Sequence, residues 1–166
     1  MKGGDPVGNG RETEVMRALQ EVKDPEIPAV SILELGMVNQ ATVTGHHVRV
    51  EVTPTFVGCP ALDWIHGQIV EHLKKIPGIE EVEVVFVIDP PWTSDRITLE
   101  GRRKLESFGI APPPKTEDPD PLNTVPRCPY CGADQGEVKN LFGPTACRSI
   151  YYCKHCRQPF EGMKAV

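Results

Sequence analysis

The sequence has no long apolar run, no apolar segment at its beginning and no excess of basic residues. Among its 166 residues, no stretch approaches the roughly 18 consecutive apolar residues that a membrane span requires. The first residues, MKGGDPVGNGRETEV, lack the apolar segment of a secretory signal. A formal charge of -5 gives no overall attraction for a polyanion. We therefore expect a cytoplasmic protein that binds no membrane and for which nucleic acid is a disfavoured partner.

Cysteine is the most informative residue type in the chain. Six cysteines are present, and a reducing cytoplasm seldom leaves disulfides intact. Four of them form two Cys-x-x-Cys pairs, Cys128 with Cys131 and Cys153 with Cys156. Two thiolates three residues apart can hold one ion from a single turn, and two such turns supply four soft ligands in a tetrahedron. This pattern predicts a zinc ribbon, with a rubredoxin-like iron site as the main alternative and two disulfides as a weaker one.

The residues around these pairs give further expectations for the ribbon. His155 lies between two predicted ligands and is expected to point outward. Cys147 belongs to neither pair. It is either a small buried residue or a thiol that contacts a second metal or a partner. The adjacent Arg148 would favour its thiolate form. The expected apolar centre comprises Val138, Leu141, Phe142, Ile150, Tyr151, Tyr152 and Phe160.

The preceding residues predict a small α/β (α+β) domain with the order α-β-β-α-β-α and a mixed sheet. Apolar residues recur with helical spacing near Val15 and again from Leu62. From Val48 onward, apolar and polar residues alternate, which is the pattern of a strand with one buried face. Prolines and glycines set the predicted boundaries. Residues 1–11 have nothing to bury, and the second helix is expected to begin at Pro60. The third strand is expected to continue to Ile88, and the last helix to run from Ser94 or Asp95 to Phe108. The predicted domain covers residues 12–110, a proline-rich linker 111–126, and the ribbon 127–166.

Cys59 is the candidate reactive thiol of the first domain. It lies in TFVGCP, where a helix is expected to begin, and the dipole of a helix lowers the pKa of a thiol at its N-terminus. Asp24 and Glu26 flank Pro25 in a connection, from which they could converge with Cys59 on one end of the sheet. The alternatives are a cysteine that only caps and packs, and an ordinary acidic turn that ends a helix.

Three motifs in order carry a family resemblance: DPEIPAVSILELGMV, then TFVGCP, then DPPWTSDRIT. They resemble the small α/β domains that assist iron–sulfur protein assembly. With FGPTACR and the paired Cys-x-x-Cys elements, the whole chain is similar to the PaaD family, the accessory components of the multicomponent phenylacetyl-CoA epoxidase. One departure is Pro144, where the family has serine or threonine.

The resemblance implies a non-catalytic accessory role in aerobic phenylacetate degradation. Its partners would be the oxygenase and reductase subunits, and its cargo a transient iron–sulfur cluster or iron beside the Zn²⁺ of the ribbon. Carried over by position, Cys59 would be the cysteine that contacts the cluster, and Asp24 and Glu26 its acidic neighbours. Trp92, Thr93 and Asp95 match the third motif, whose role is open.

Two other functions and one assembly stay open at this point. The chain could be a structural subunit that docks to the oxygenase complex through its ribbon. It could also be a zinc-ribbon nucleic-acid binder, since Lys139, Arg148, Lys154 and Arg157 make the ribbon locally basic. One thiolate gives too few ligands for a stable cluster. The ion would therefore be shared, either by the Cys59 residues of two protomers in a homo-oligomer or by Cys59 and the client protein.

Overall fold

The computed structural model describes residues 8–115 and 124–165, so part of the predicted linker, 116–123, lies outside the described residues. The helices are α1 (Gly8–Gln20), α2 (Leu62–Lys74) and α3 (Leu99–Ser107); the strands are β1 (Val38–Thr44), β2 (His47–Val52), β3 (Glu81–Phe86), β4 (Ile110–Ala111), β5 (Gly136–Asn140), β6 (Arg148–Cys153) and β7 (Pro159–Met163). The predicted fold class and order are confirmed. No helix in these ranges has both the length and the apolar character to cross a bilayer.

The first sheet has the order β1-β2-β3 and is mixed, as predicted. β1 and β2 form an antiparallel hairpin, and β2 pairs with β3 in parallel. Val48, Val50 and Val52 alternate along β2 and are fully buried. They pack with the apolar stripes of α1 and α2, which comprise Val15, Leu19, Ile65, Ile69 and Leu73. Periodicity therefore predicted which residues form this core.

Three predicted boundaries are wrong by a few residues. Helix α1 begins at Gly8, so residues 8–11 are helical rather than outside the fold. Helix α2 begins at Leu62 instead of Pro60. Strand β3 ends at Phe86, and Ile88 is 58% exposed because the sheet offers it no buried neighbour beyond Phe86.

The predicted third helix is divided in two. Ser94–Arg96 forms a 3-10 turn, and α3 begins only at Leu99. Buried Ile97 lies between them in an extended conformation, and Thr98 caps α3 by accepting the N–H of Gly101 at 3.0 Å. The cap is thus Thr98, and neither Ser94 nor Asp95 performs that role.

Glu34 fixes the connection between α1 and β1. This carboxylate is 5% exposed and accepts hydrogen bonds from the Ser31 N–H at 2.9 Å, the Gln20 side chain at 2.7 Å and the Lys104 Nζ at 2.6 Å. It thereby joins the connection to α1 and α3. The segment that carries Asp24 and Glu26 is held in place by these bonds rather than free to move.

The second sheet, with the order β4-β7-β6-β5, contains the ribbon. Strand β4 pairs in parallel with β7, Ile110 with Glu161 and Ala111 with Gly162. The predicted boundary between residues 110 and 111 therefore passes through a strand that belongs to the ribbon sheet. The two predicted domains share this sheet, and their division remains a prediction.

The apolar centre of the ribbon is smaller than predicted. Tyr151 and Phe160 are buried and stack with ring centroids 5.4 Å apart, together with buried Cys128 and Cys153. Val138, Leu141 and Phe142 are exposed instead, because they lie on and beyond the edge strand β5. So few buried residues give little hydrophobic stabilisation, which is typical of a module that depends on a metal.

Candidate functional site

The side chains of four cysteines meet at one end of the ribbon. The sulfur atoms of Cys128, Cys131, Cys153 and Cys156 all lie within 4.8 Å of one another. Cys128 Sγ is 3.7 Å from Cys156 Sγ, and Cys131 Sγ is 3.6 Å from Cys153 Sγ. A tetrahedral ion with metal–sulfur bonds of about 2.3 Å places its ligands about 3.8 Å apart. The four thiols thus fit one tetrahedral metal ion, and none of the six cysteines forms a disulfide.

Each Cys-x-x-Cys pair lies in a tight turn that the backbone closes. The N–H of Gly132 donates to the carbonyl of Cys128 at 2.8 Å, and the N–H of Arg157 donates to the carbonyl of Cys153 at 2.9 Å. Gly132 has φ +72° and Arg157 has φ +60°, the left-handed conformation that ends such a turn. His155 is exposed between two ligands, as predicted.

The thiols of the ribbon differ in acidity. The backbone N–H of Cys156 and that of His155 outweigh burial and lower the pKa of Cys153 to about 7. Burial raises the pKa of Cys156 to about 12. Four adjacent thiols cannot all ionise without a compensating charge, so a cation that replaces their protons is the group that this arrangement accepts.

A second site is a cavity of about 310 Å³ between the first domain and the ribbon. Its walls come from the connection after α1, the loop before α2, the loop before β6 and the end of β7. The lining residues are Asp24, Glu26, Ile27, Leu35, Thr55, Phe56, Gly58, Cys59, Pro60, Ala61, Pro144, Thr145, Ala146, Cys147 and Met163. Cys59, Asp24 and Glu26 thus line one cavity, which is the arrangement that the sequence left open beside an ordinary acidic turn.

Asp24 has a structural role as well as a place in the cavity. Its Oδ1 accepts the N–H groups of Glu26 at 2.8 Å and Ile27 at 3.0 Å, which is the geometry of an Asx turn. Burial raises the pKa of Asp24, against the lowering effect of these two hydrogen bonds. Asp24 therefore forms the acidic turn and also lines the cavity with Cys59.

Cys59 does not have the lowered pKa that its position suggested. Burial, followed by the nearby Asp24, Cys147 and Glu26 groups, raises its pKa despite a hydrogen bond from the backbone of Ala61. The helix begins three residues later, at Leu62, so its dipole acts only weakly on the sulfur. Without a bound cation, Cys59 is a protonated thiol at neutral pH.

Cys147 lines the same cavity, although it belongs to the ribbon. Its sulfur is 3.2 Å from Thr145 Oγ1. The guanidinium of Arg148 contacts Glu161 and Glu26, and the expected contact with the Cys147 thiol is not among its bonds in the described residues. Sequence reasoning left this residue open, and only the FGPTACR motif indicated that it was unusual.

Two regions of the chain match known families. Residues 12–85 match the iron–sulfur cluster assembly protein family, and residues 111–164 match the PaaD zinc beta ribbon domain. A relative from Escherichia coli (strain K12), provisionally named as a component of 1,2-phenylacetyl-CoA epoxidase, is 37% identical over 92% of this chain and 92% of its own length. The chain belongs to the PaaD family.

Other relatives match only the first domain of this PaaD-family chain. The Fe-S protein maturation auxiliary factor SufT of Staphylococcus aureus (strain USA300) is 38% identical over 46% of the chain and 88% of its own length. A solved domain of unknown function, DUF59, from Bacillus anthracis is 29% identical and covers 60% of the chain and 94% of its own length with a TM-score of 0.56. The first domain therefore has the fold of DUF59.

The third motif of this PaaD-family chain lies outside the cavity. Trp92 is 3% exposed, and its Nε1–H donates to the carbonyl of Leu35 at 2.8 Å. Thr93 precedes the 3-10 turn without capping it, and Asp95 is exposed. Trp92 thus positions the backbone of Leu35, which lines the cavity, rather than contacting a ligand there.

The basic residues of the ribbon are partly paired with acidic ones. Arg148 is 6% exposed, and Lys139 and Lys154 both pair with Glu137, the latter at 3.0 Å. The side chains of Lys139 and Lys154 are nevertheless 51% and 60% exposed, and Arg157 is exposed as well. The ion pairs reduce the positive charge that the nucleic-acid alternative requires.

Asp24→Asn should stabilise the iron-free protein at neutral pH. A carboxyl whose folded pKa is raised favours folding below its unfolded value, 3.8, and loses that contribution as the pH rises through the folded pKa. Asparagine keeps the acceptor oxygen of the turn without the buried charge. We expect a midpoint of thermal unfolding higher by up to about 2–4 °C at pH 7, the shift for roughly 1 kcal/mol in a chain of this size.

The measurement is thermal unfolding of the wild type and the variant across a pH series, with Asp24→Ala as the control. Asp24→Ala also removes the acceptor, so it should lower the midpoint. The gap between Asp24→Asn and the wild type should narrow as the pH falls towards 3.8. An Asp24→Asn protein that unfolds below the wild type at pH 7 would mean that the charge itself stabilises the fold.

Proposed function

We propose that this protein is a non-catalytic accessory factor that receives iron or an iron–sulfur cluster at Cys59 and helps to load the phenylacetyl-CoA epoxidase system. The observation that carries the proposal is the cavity, where Cys59 lies with Asp24 and Glu26. The names of relatives support it, since one is a maturation auxiliary factor for Fe-S proteins and another is a component of the epoxidase. The proposed partners are the oxygenase and reductase subunits in the cytoplasm.

The chemistry of the cavity supports a cationic cargo. Thiolate sulfur and carboxylate oxygen are both ligands for iron. No lysine, arginine or histidine is among the described residues that line the cavity. Arg148 pairs with Glu26 from outside this lining, so a cation in the cavity would be a counter-charge mainly for Cys59 and Asp24. Without it, burial and the nearby Asp24 and Glu26 carboxyls raise the pKa of Cys59.

The same features argue against an independent thiol enzyme. A cysteine nucleophile needs a lowered pKa or an adjacent base. The pKa of Cys59 is raised, and its nearest ionisable neighbours, Asp24 and Glu26, carry negative charge when ionised and oppose a thiolate. Metal binding overcomes this opposition because the metal takes the place of the proton.

We propose Zn²⁺ as the resident metal of Cys128, Cys131, Cys153 and Cys156. Four thiolates in a closed tetrahedron are the ligand set of structural zinc sites, and such a site contributes folding free energy rather than chemistry. The small apolar centre of Tyr151 and Phe160 supports this role. The zinc would hold the turns at this end of the ribbon and thereby the sheet that carries Cys147.

Cys128→Ser should abolish zinc binding and unfold the ribbon. The purified wild type should contain one zinc ion per chain, whose binding contributes about 10–16 kcal/mol in comparable zinc-finger peptides. Elemental analysis and circular dichroism measure both effects. Cys147→Ser is the matched control, because it removes a ribbon thiol outside the cluster and should keep the zinc. Iron instead of zinc in wild type produced with both metals would overturn the assignment.

A second candidate function is a structural subunit that docks to the oxygenase. The exposed apolar residues Leu141 and Phe142, 57% and 78% exposed, favour it. They adjoin the loop before β6, and a partner that covered them would bury a substantial apolar area. In this case the complex would form and remain stable whether or not Cys59 is present.

Cys59→Ser should prevent maturation of the epoxidase in cells without unfolding the protein. Serine has nearly the shape of cysteine but is a poor ligand for iron, so the cargo is lost while the packing is kept. We expect epoxidase activity and the iron content of the oxygenase and reductase to fall towards the level of cells that lack this protein. Val57→Ser is the matched control, since it places a hydroxyl on an exposed residue of the same loop outside the cavity and leaves the thiol.

Three results separate the candidates. Loss of activity with Cys59→Ser and not with Val57→Ser supports the loading role. Normal epoxidase activity and normal iron content of the oxygenase and reductase with Cys59→Ser would contradict the loading role. The docking role would be favoured if Cys59→Ser leaves activity normal while substitution of Leu141 and Phe142 lowers it.

A further inference from the structure

Two cysteines that are distant in sequence line one cavity. Cys59 comes from the loop before α2, and Cys147 comes from the loop before β6 of the ribbon. The remaining four cysteines all belong to the metal cluster of the ribbon. Every cysteine outside that cluster is therefore in this cavity, which is otherwise largely apolar apart from Asp24, Glu26 and two threonines.

The loop that carries Cys147 is held in place from several sides. The N–H of Gly143 donates to the carbonyl of Arg148 at 2.9 Å, and the N–H of Arg148 donates to the carbonyl of Thr145 at 3.1 Å. A Cβ on Gly143 would lie 2.8 Å from that Arg148 oxygen, so only glycine allows this closure. The carbonyl of Cys147 accepts the N–H of Lys164 at 2.9 Å. This loop keeps Cys147 at the cavity wall.

Arg148 fixes the ribbon against the first domain beside the cavity. Its Nη1 is 2.6 Å from Glu161 Oε2, and its Nη2 is 3.3 Å from the carbonyl oxygen of Glu26. The residue that follows Cys147 thus contacts the segment that carries Asp24 and Glu26. The two halves of the cavity are joined within one chain.

We propose that Cys147 is the second thiolate ligand of the iron cargo at Cys59, with Asp24 or Glu26 as an oxygen ligand. The proposal rests on the proposed function and deepens it. The two thiols would come from the first domain and the ribbon of one chain, so no second protomer is required. Binding of Fe²⁺ breaks two S–H bonds, forms two S–Fe bonds and releases two protons to solvent, with no change of oxidation state.

The ligands line the cavity without converging on one point. Among the described residues, only the four ribbon cysteines bring three or more ligand atoms within 4.8 Å of one another. Cys59 and Cys147 must therefore adjust their side chains when iron enters. Two thiolates and one carboxylate also leave a coordination position open, in contrast to the closed ribbon cluster. Both features suit a metal that must later pass to a client.

The test is a titration of the full zinc-loaded chain with Co²⁺ under anaerobic conditions, with Co²⁺ as the probe for iron. Zinc binds such ligands more tightly than cobalt does, so the ribbon keeps its zinc, and elemental analysis verifies this. Each thiolate bound to cobalt adds to the charge-transfer absorbance. We compare wild type, Cys59→Ser, Cys147→Ser and the control Leu141→Ser, which changes an exposed residue outside the cavity next to the same loop and keeps the thiol.

The wild type and Leu141→Ser should each bind one cobalt ion per chain beyond the zinc. Cys59→Ser and Cys147→Ser should each show about half of the charge-transfer absorbance per cobalt and at least roughly tenfold weaker binding, because each lacks one of two thiolates. The double variant should show no charge-transfer band. Unchanged zinc content and circular dichroism would exclude unfolding as the cause.

Other results overturn the inference. If Cys147→Ser binds cobalt as the wild type does while Cys59→Ser does not, Cys147 is not a ligand and the loading role of Cys59 remains. One cobalt ion per two chains, with dimerisation, would mean that two protomers share it. No cobalt beyond the zinc in the wild type would also overturn it. Failure of the loading role would be recognised by a different result, which is normal epoxidase maturation in cells that carry Cys59→Ser.

Discussion

Arg148 joins the two halves of this molecule. It is 6% exposed, and its guanidinium contacts Glu161 of β7 and both the carbonyl and the carboxylate of Glu26. A buried ion pair adds little net stability when its desolvation is counted, but removal of one partner is costly. Its value here is orientation, because it joins the ribbon to the segment of Glu26, while β4 pairs with β7. The cavity with Cys59 and Cys147 lies beside these contacts.

This packing determines the electrostatics of the cavity. The thiol of Cys59 and the carboxyl of Asp24 both have raised pKa values, mainly because the walls exclude water. A site of this kind is unfavourable for separate negative charges and favourable for a cation that joins them. The ribbon cluster has the opposite character, since its four sulfur atoms already lie within 4.8 Å of one another. One chain thus contains a converged set of four thiols and a more open cavity with two thiols and two carboxyls.

Local sequence patterns predicted much of the fold and all of the ribbon cluster. The Cys-x-x-Cys pairs specify their own turns, and the alternation of Val48, Val50 and Val52 specifies a buried strand face. The pairing of β4 with β7, the burial of Arg148 and the contact of Cys147 with the Cys59 cavity depend on residues far apart in sequence. The prediction of a lowered pKa for Cys59 was wrong because burial, which depends on residues far apart in sequence, outweighed the local effect of the helix. The break at Ile97 also follows from burial, which no periodicity encodes.

The central claim is that this protein carries iron at Cys59 to a client of the epoxidase system. The most direct measurement is transfer of isotopically labelled iron from the zinc-containing, iron-loaded chain to metal-free oxygenase or reductase, in the presence of a chelator that removes free iron. The account predicts that the client acquires the label from the wild type and not from a Cys59→Ser chain mixed with the same iron. Equal labelling of the client from both proteins, or no labelling from the wild type, would contradict it.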